Sequence, residues 1–423
     1  VYVISLACRL EGTLDADAFA QAWQLAVARH AVLRSAFVGQ DLAVPLQVVL
    51  REAELPFARE DWRDLSLAEQ QERFETLQQA ERLRGFDFAR PPLMRLCLIR
   101  TGERDHRLLW TSHHILFDGW SIPLLLDEVF AAYVALNRRE VPQLTPVRPF
   151  RDYIAWLQHQ DMAAAEAHWR RRLAGFEAPS SLGLGRPTVS AEHDDGDRYA
   201  EHARELALGE IEGFARRHRL TINTVVQGAW ALLLGRYGDS NDVVFGVTVS
   251  GRPADLAEVE RTVGLFINTL PLRVPLPDRA SVLDFMGEVQ ARQSELTDYQ
   301  YSPLAEVQRW SAVPAGTPLF ESIVAFENYP AEMSALAEVA QSIRISEVSP
   351  VERTNYPLTL QVTVGEQLAF RLIADRERFE AAAVERLLGH FARLLGEIVA
   401  DPARPVAALS PLGEDERHQV VSA

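Results

Sequence analysis

The sequence of 423 residues contains no lysine, so all 43 of its basic residues are arginine. Enzymes that form a Schiff base, P-loop nucleotide-binding proteins and protein kinases all depend on a lysine amine. The absence of lysine excludes these three classes. Any chemistry that the chain performs must come from histidine, carboxylates, hydroxyls, arginine and the backbone.

Cysteine is almost absent as well. The only two, Cys8 and Cys97, lie in apolar runs that are typical of strands. Two cysteines cannot build a disulfide framework or a thiolate metal site, and no other metal-ligand spacing is present. We therefore expect buried thiols, no metal, and a reducing compartment such as the cytoplasm.

Long hydrophobic runs are also missing. The longest uncharged run, Leu220 to Gly235, has 16 residues and includes threonine, asparagine and glutamine. This is short of the roughly 20 apolar residues that a membrane span needs. The net charge of −16 disfavours nucleic acid as a partner, because such binding requires a basic surface. Neither a membrane nor a nucleic acid is expected as a partner.

Strands alternate with amphipathic helices along the chain, which predicts an α/β or α+β fold. Residues 176–198 lack a hydrophobic period and are rich in proline, serine and glycine, then aspartate and histidine. We interpret them as a linker. The predicted domains are residues 1–175 and 199–423. Ser66 followed by Glu69 predicts a capping box at the start of a helix.

One stretch stands out as a candidate site. His113 and His114 follow a strand-like run, and Asp118 and Gly119 come before a predicted helix whose cap is Ser121. The histidines therefore fall at a turn between two rigid elements. Imidazole titrates nearest neutral pH, so proton transfer would be sought here first.

This stretch resembles the HHxxxDG motif of condensation domains in nonribosomal peptide synthetases, which have the chloramphenicol-acetyltransferase-like fold. Other stretches resemble the family's further motifs and occur in the same order. They are Arg29–Phe37, Phe150–Leu157, Val263–Arg273, Tyr301–Trp310 and Phe320–Pro330. The last motif, near Asp375–Phe379, is only weakly similar.

The resemblance implies two acetyltransferase-like lobes that form a V-shaped pseudo-dimer with a tunnel between them. It implies amide bond formation, in which an acceptor aminoacyl amine attacks a donor acyl or peptidyl thioester. Both substrates would arrive on phosphopantetheine arms of donor and acceptor carrier proteins. The domain itself would bind no cofactor, and an adenylation domain would be its neighbour.

The resemblance also implies roles for the residues of the motif. His114 is expected to face the reacting atoms, either as a general base or as a group that positions the amine. His113 is expected mainly to support the turn. Asp118 is expected to be buried and paired with an arginine, for which the family motifs suggest Arg34 and Arg273.

Four more residues are expected near the substrates. Gly119 would leave room for a tethered arm and offer its N–H to the developing oxyanion. Asn268 and Thr269 would line the tunnel. Trp120 is a further tunnel candidate, although a place in the core is favoured for it. Because carrier proteins are acidic, local arginine patches such as Arg170–Arg172 are expected on the surface.

Alternatives remain open at this point. An epimerisation domain shares HHxxxDG, although its later signatures are not seen. A condensation-like platform that recruits a tailoring enzyme would usually have a degraded histidine motif. Ester formation would use the same base with a hydroxyl acceptor.

Overall fold

A computed structural model describes residues 2–39, 45–184, 198–327, 343–351, 354–413, 416 and 418. Within these residues the chain divides into two compact units. The first unit runs from the amino terminus to His159 and also includes Arg252–Phe266 and the described residues 343–351 and 354–355. The second unit contains Gln160–Gly251, residues 267–327 and the described residues from Tyr356 onwards.

The strands of the described residues, in chain order, are β1 (Val3–Gly12), β2 (Ser35–Val38), β3 (Leu46–Val49), β4 (Phe57–Asp61), β5 (Met94–Arg100), β6 (Asp105–His113), β7 (Tyr199–Ala207), β8 (Asp242–Val249), β9 (Asn268–Pro275), β10 (Ser322–Glu327), β11 (Ile343–Val351), β12 (Leu358–Val364) and β13 (Gln367–Asp375). The α-helices are α1 (Ala16–Arg29), α2 (Leu67–Arg84), α3 (Ser121–Asn137), α4 (Arg151–Gln158), α5 (Met162–Arg172), α6 (Leu208–His218), α7 (Ile222–Gly238), α8 (Val282–Asp298), α9 (Leu304–Trp310) and α10 (Ala381–Ala400). The mixed α/β composition agrees with the fold class predicted from the sequence.

The first unit is built on a sheet of strand order β11-β1-β6-β5-β4. Strand β6 lies at its centre and pairs antiparallel with both β1 and β5. Helices α1 and α3 pack together, and Trp23 of α1 contacts Trp110 of β6 with ring centroids 4.8 Å apart. Both indoles are almost completely buried. The strand that leads into the histidine motif is therefore held on both edges and by the core.

The second unit is built on a sheet of strand order β7-β13-β12-β10-β8-β9. Helix α7 is buried continuously from Thr224 to Gly235, which accounts for the uncharged run in the sequence. Burial of such a helix is driven by the removal of apolar surface from water. Among the described residues, no helix is long and apolar enough to span a bilayer.

The division of the chain differs from the predicted boundaries of 1–175, 176–198 and 199–423. Helix α5 belongs to the second unit, and Phe176 and Leu182 of the predicted linker are buried in that unit's core. Residues 185–197 of the linker lie outside the described part of the chain. Two parts of the predicted second domain belong instead to the first unit. They are the segment Arg252–Phe266 and the strand β11, which pairs with β1.

Two local predictions are confirmed. Ser66 and Glu69 form a capping box at the start of α2, with Ser66 N–H donating to the Glu69 carboxylate at 2.8 Å. Cys8 and Cys97 are both buried free thiols. Burial raises the pKa of each thiol to about 12, so neither is a reactive thiolate at neutral pH.

Candidate active site

The histidine motif is fixed where β6 ends. The His114 N–H donates to the Tyr2 carbonyl at 2.9 Å, and the Leu116 N–H donates to the His113 carbonyl at 3.1 Å. Leu116 and Phe117 are fully buried, and Trp110 packs against Phe117. Hydrogen bonds and core packing together hold the loop in one conformation before α3 begins.

The orientation of the His114 ring is set by its own loop. His114 is half-buried, and its Nδ1 lies 2.9 Å from the carbonyl oxygen of Phe117. A carbonyl oxygen only accepts hydrogen bonds, so Nδ1 carries the hydrogen. In the neutral ring, the lone pair is then on Nε2. A ring nitrogen in this state is what a proton acceptor requires.

His113 has the opposite arrangement. Its Nδ1 accepts a hydrogen bond from the Ile115 N–H at 3.1 Å, and its ring is edge-on to Phe88 with centroids 4.8 Å apart. Burial lowers the pKa of His113 to about 4. The imidazole is therefore neutral at physiological pH and supports the turn. This geometry favours the structural role expected for it.

Protonation of His113 should make the stability of the protein depend on pH. Because its pKa falls from about 6.5 in the unfolded chain to about 4 in the folded one, the unfolded state binds more protons between these values. Stability should therefore decrease as pH falls from 6.5 to 4. Urea unfolding at several pH values checks this. The His113→Phe variant should show a shallower decrease, and an equal slope in both proteins would contradict the assignment.

Asp118 is buried and forms an ion pair. Its Oδ1 lies 3.0 Å from Nη2 of Arg252, and the two side chains are only 3% and 4% exposed. Its Oδ2 accepts the Phe266 N–H at 3.1 Å. Burial lowers the pKa of Arg252, and the Asp118 carboxylate opposes this by stabilising the charged guanidinium. The pair fastens the histidine motif to the segment Arg252–Phe266.

Arg252 replaces the two partners that the sequence suggested. Arg34 donates instead to backbone carbonyls, including those of Val27 at 3.1 Å and Arg51 at 3.0 Å. Arg273 pairs with Asp242 in the second unit, at 2.6 Å. The prediction of Arg34 and Arg273 is therefore wrong, since each has local acceptors that use its donors.

Arg252 was missed because it lies outside the family motifs used for the prediction. It is placed between Gly251 and Pro253, directly after β8. Glycine and proline on either side end a strand and fix the course of the chain. An arginine between a glycine and a proline at the end of a strand was the sequence feature that could have indicated a partner for Asp118. Two of its N–H groups also reach the carbonyls of Val259 and Thr262.

Ser121 does not cap α3 as predicted. The helix begins without a side-chain cap, and the Asp118 carboxylate accepts the Ser121 N–H at 3.1 Å. The Ser121 hydroxyl is fully buried and lies 2.8 Å from Asp118 Oδ1. It also accepts the Gly264 N–H at 3.2 Å. The hydroxyl therefore joins Asp118 to the same segment that carries Arg252.

Trp120 and Gly119 complete the loop. Trp120 is half-buried, and its indole N–H donates to the Glu260 carbonyl at 2.9 Å, which is a further link to the segment Arg252–Phe266. The Gly119 carbonyl accepts the Ile122 N–H at 3.2 Å. These contacts give Trp120 a structural role. The use of the Gly119 N–H for an oxyanion stays a prediction.

Asn268 and Thr269 lie at the start of β9 in the second unit. The Asn268 amide donates to the carbonyls of Gln300 and Ser302, at 2.9 and 2.7 Å, and its oxygen accepts the Thr269 N–H at 2.8 Å. These bonds tie β9 to the turn before α9. A tunnel-lining role for the two residues stays a prediction. Among the described residues, no group of three or more histidine, cysteine or acidic side chains could hold a metal ion.

The family model for the condensation domain matches residues 1–421. The chain belongs to the condensation domain family. A subunit of the linear gramicidin synthase of Brevibacillus parabrevis is 43% identical to it, over 99% of this chain and 8% of that protein. Surfactin synthase subunit 2 of Bacillus subtilis (strain 168) is 33% identical, over 99% of this chain and 12% of that protein.

Solved structures have the same fold. The X-domain from teicoplanin biosynthesis, in a structure of its complex with OxyB, has a TM-score of 0.79 and 25% identity, covering 98% of this chain and 92% of that one. The first condensation domain of the calcium-dependent antibiotic synthetase has a TM-score of 0.77 and 19% identity, covering 97% and 94%. At 19% identity, the similarity to the condensation domain of the calcium-dependent antibiotic synthetase shows only that the fold is shared.

Condensation domains of nonribosomal peptide synthetases are acyltransferases that form amide bonds. The whole-chain match to their model and to synthetase subunits disfavours the epimerisation alternative. The chain spans only about 8% of the length of the gramicidin synthase subunit. It spans about 12% of the length of surfactin synthase subunit 2.

Proposed function

We propose that this condensation domain joins an acceptor aminoacyl amine to a donor acyl or peptidyl thioester, each presented on the phosphopantetheine arm of its own carrier protein. The observation that supports this most strongly is the His114 ring, whose Nδ1 is engaged by the Phe117 carbonyl at 2.9 Å. An adenylation domain adjacent in the synthetase would load the acceptor. Both cysteines are buried free thiols, which is consistent with a protein located in the reducing cytoplasm.

In the proposed reaction the amine nitrogen attacks the thioester carbonyl carbon. The new C–N bond forms, the C–S bond breaks, and the amine proton leaves through Nε2 of His114 to the departing thiolate. Proton transfer of this kind contributes typically about 10²–10⁴-fold in rate. Holding the two tethered substrates together can supply up to roughly 7–11 kcal/mol of the barrier reduction. His114 can therefore serve as base, as a positioning group, or as both.

Asp118 has an indirect part in this proposal. Its carboxylate faces Arg252, Ser121 and the Phe266 N–H within the first unit, so its acceptor oxygens are used inside the protein. We assign it to holding the loop so that the His114 ring stays in place. Gly119, one residue later, would leave space for a tethered arm.

A second candidate function is a platform that recruits another protein. The X-domain of teicoplanin biosynthesis, 25% identical to this chain, was solved in complex with OxyB. The retained histidine pair, with one ring oriented for proton transfer and the other half-buried and neutral, favours catalysis over recruitment alone.

Mass spectrometry of carrier-bound products tests the proposal. The domain is mixed with candidate donor and acceptor carrier proteins, each loaded with its thioester. A product on the acceptor carrier with the combined acyl mass supports condensation, and its chirality excludes or reveals epimerisation. The His159→Ala variant is the matched control, since His159 is an exposed histidine of the same unit. Retained carrier binding with no product from any pair would favour the platform.

A further inference from the structure

The second unit contains a cavity that no residue of the histidine motif lines. It lies among α5, β9 and α8 and has a volume of about 290 Å³, including its open mouth. Its walls come from three elements of that unit. They are formed by His168, Trp169, Arg172, Leu173, Pro271, Leu272, Arg273, Arg292, Glu295 and Leu296.

The wall of this cavity is basic, although the chain as a whole has a net charge of −16. Three arginines and one glutamate line it. Arg172 pairs with Glu295, and Arg273 pairs with Asp242 at 2.6 Å. Arg273 also donates to the carbonyls of Arg172 and Ala174. These two arginines thus contribute charge, but acceptors within the protein already engage them.

Arg292 differs from the other two. Its side chain is only 23% exposed, and the nearest carboxylate oxygen, from the largely exposed Glu288, is 4.0 Å away. Among the described residues it has no hydrogen-bond partner, although a guanidinium carries five N–H donors. Burial and the neighbouring Arg172 lower the pKa of Arg292. A partly buried guanidinium with unused donors is stabilised by an anion that accepts them.

The rest of the wall restricts the shape and charge of a ligand. Trp169, Leu272 and Leu296 are buried and apolar. His168 stacks on Tyr299 with centroids 3.9 Å apart, and burial lowers its pKa to about 4, so it adds no charge at neutral pH. A ligand with one charged end and a short apolar part matches both halves of the cavity.

We propose that this cavity binds a small oxyanion, a carboxylate or phosphate group, through the planar guanidinium of Arg292 with Arg172 beside it. Planar guanidinium groups bind both anions through paired N–H donors. The site is separate from the proposed amide-forming chemistry, and its test requires no loaded carrier protein. Failure of one proposal therefore leaves the other untouched.

Thermal unfolding of the full chain, with inorganic phosphate or propionate added at constant ionic strength, tests the site. At about ten times the dissociation constant, a bound ligand should raise the Tm by roughly 1.5–2 °C relative to chloride. A larger effect of propionate than of acetate would identify the apolar wall as part of the site. Equal effects of these two, with a response to phosphate, would identify the oxyanion alone as the ligand.

The Arg292→Gln variant should lose this response. The matched control is Arg393→Gln on α10. This variant removes an ion pair with Glu397 at 3.7 Å, similar to that of Arg292 with Glu288, and should keep the response to the anion. If Arg292→Gln does not fold, Arg292→Lys keeps the charge but removes the fork and should bind the anion at least fivefold more weakly by calorimetry. No response in wild type, or an unchanged response in the Arg292 variants, would overturn the proposal.

Discussion

The Asp118→Ala variant is expected to lose about 3–5 kcal/mol of unfolding free energy, because it leaves the Arg252 guanidinium buried without its counter-charge. The pair is almost inaccessible, with side chains 3% and 4% exposed. The substitution also removes the acceptor of the Phe266 N–H. Urea unfolding, followed by tryptophan fluorescence, measures the loss.

A double-mutant cycle separates the ion pair from its surroundings. The Arg252→Met variant removes the cation, and the double variant removes both charges. Replacing a whole buried pair by apolar groups is often much less costly than breaking it on one side. The double variant should therefore be clearly more stable than the sum of the two single losses predicts.

The same variants separate structure from chemistry at Asp118. We expect that Asp118→Ala loses stability and activity together, and that Asp118→Asn, which keeps an acceptor, is less destabilised. Full stability with lost activity would contradict the positioning role and would favour a direct part in the reaction.

The His114→Ala variant is expected to slow amide formation by about 10²–10⁴-fold, the usual range for loss of a general acid or base. Its stability should fall only modestly, by about 0.5–1.5 kcal/mol, because His114 is half-buried and the hydrogen bond lost to the Phe117 carbonyl lies within its own loop. Single-turnover kinetics with loaded carrier proteins measure the rate. Urea unfolding of the same sample checks that the fold is retained.

Two control variants show whether a loss of rate is specific to His114 and whether it comes from proton transfer. His159→Ala should react like wild type. His114→Gln keeps a polar group of similar reach without a titrating ring, so a rate close to wild type would favour positioning over proton transfer. Unchanged peptide formation by both His114 variants would remove the residue from the mechanism.

Part of the site could be predicted from the sequence because it is local. His113 and His114 lie at the end of a strand, and Asp118 lies just before a helix. The two histidine rings are held by neighbours in the same loop, Ile115 and Phe117. The burial of Asp118 and its need for an arginine follow from the same stretch and the family resemblance. These features depend on few residues.

The identity of that arginine could not be found in the same way. Arg252 is 134 residues from Asp118 in the chain. In the chain, the segment Arg252–Phe266 is flanked on both sides by residues of the second unit, but it packs in the first unit and so brings Arg252 to Asp118. Hydrophobic periodicity describes single elements and carries no information on which unit a connection joins.

The same limit applies to the domain boundaries. Residues 176–184 have the composition of a linker, yet Phe176 and Leu182 fill the second core. Strand β11 pairs with β1, although more than 300 residues separate them, as in the pairing of Ser5 with Val351. On the surface, Arg170 and Arg171 are exposed, and Arg170 and Arg172 pair with Glu166 and Glu295. The use of this arginine patch by a carrier protein stays a prediction.

The Phe117 carbonyl holds His114 as the Nδ1–H tautomer, so that Nε2 is the basic nitrogen of the neutral ring. Nitrogen-15 NMR of imidazole-labelled protein measures this most directly, with His114→Gln identifying the signals. In the neutral ring we expect a protonated Nδ1 and an unprotonated Nε2. A neutral His114 with its proton on Nε2 would contradict it.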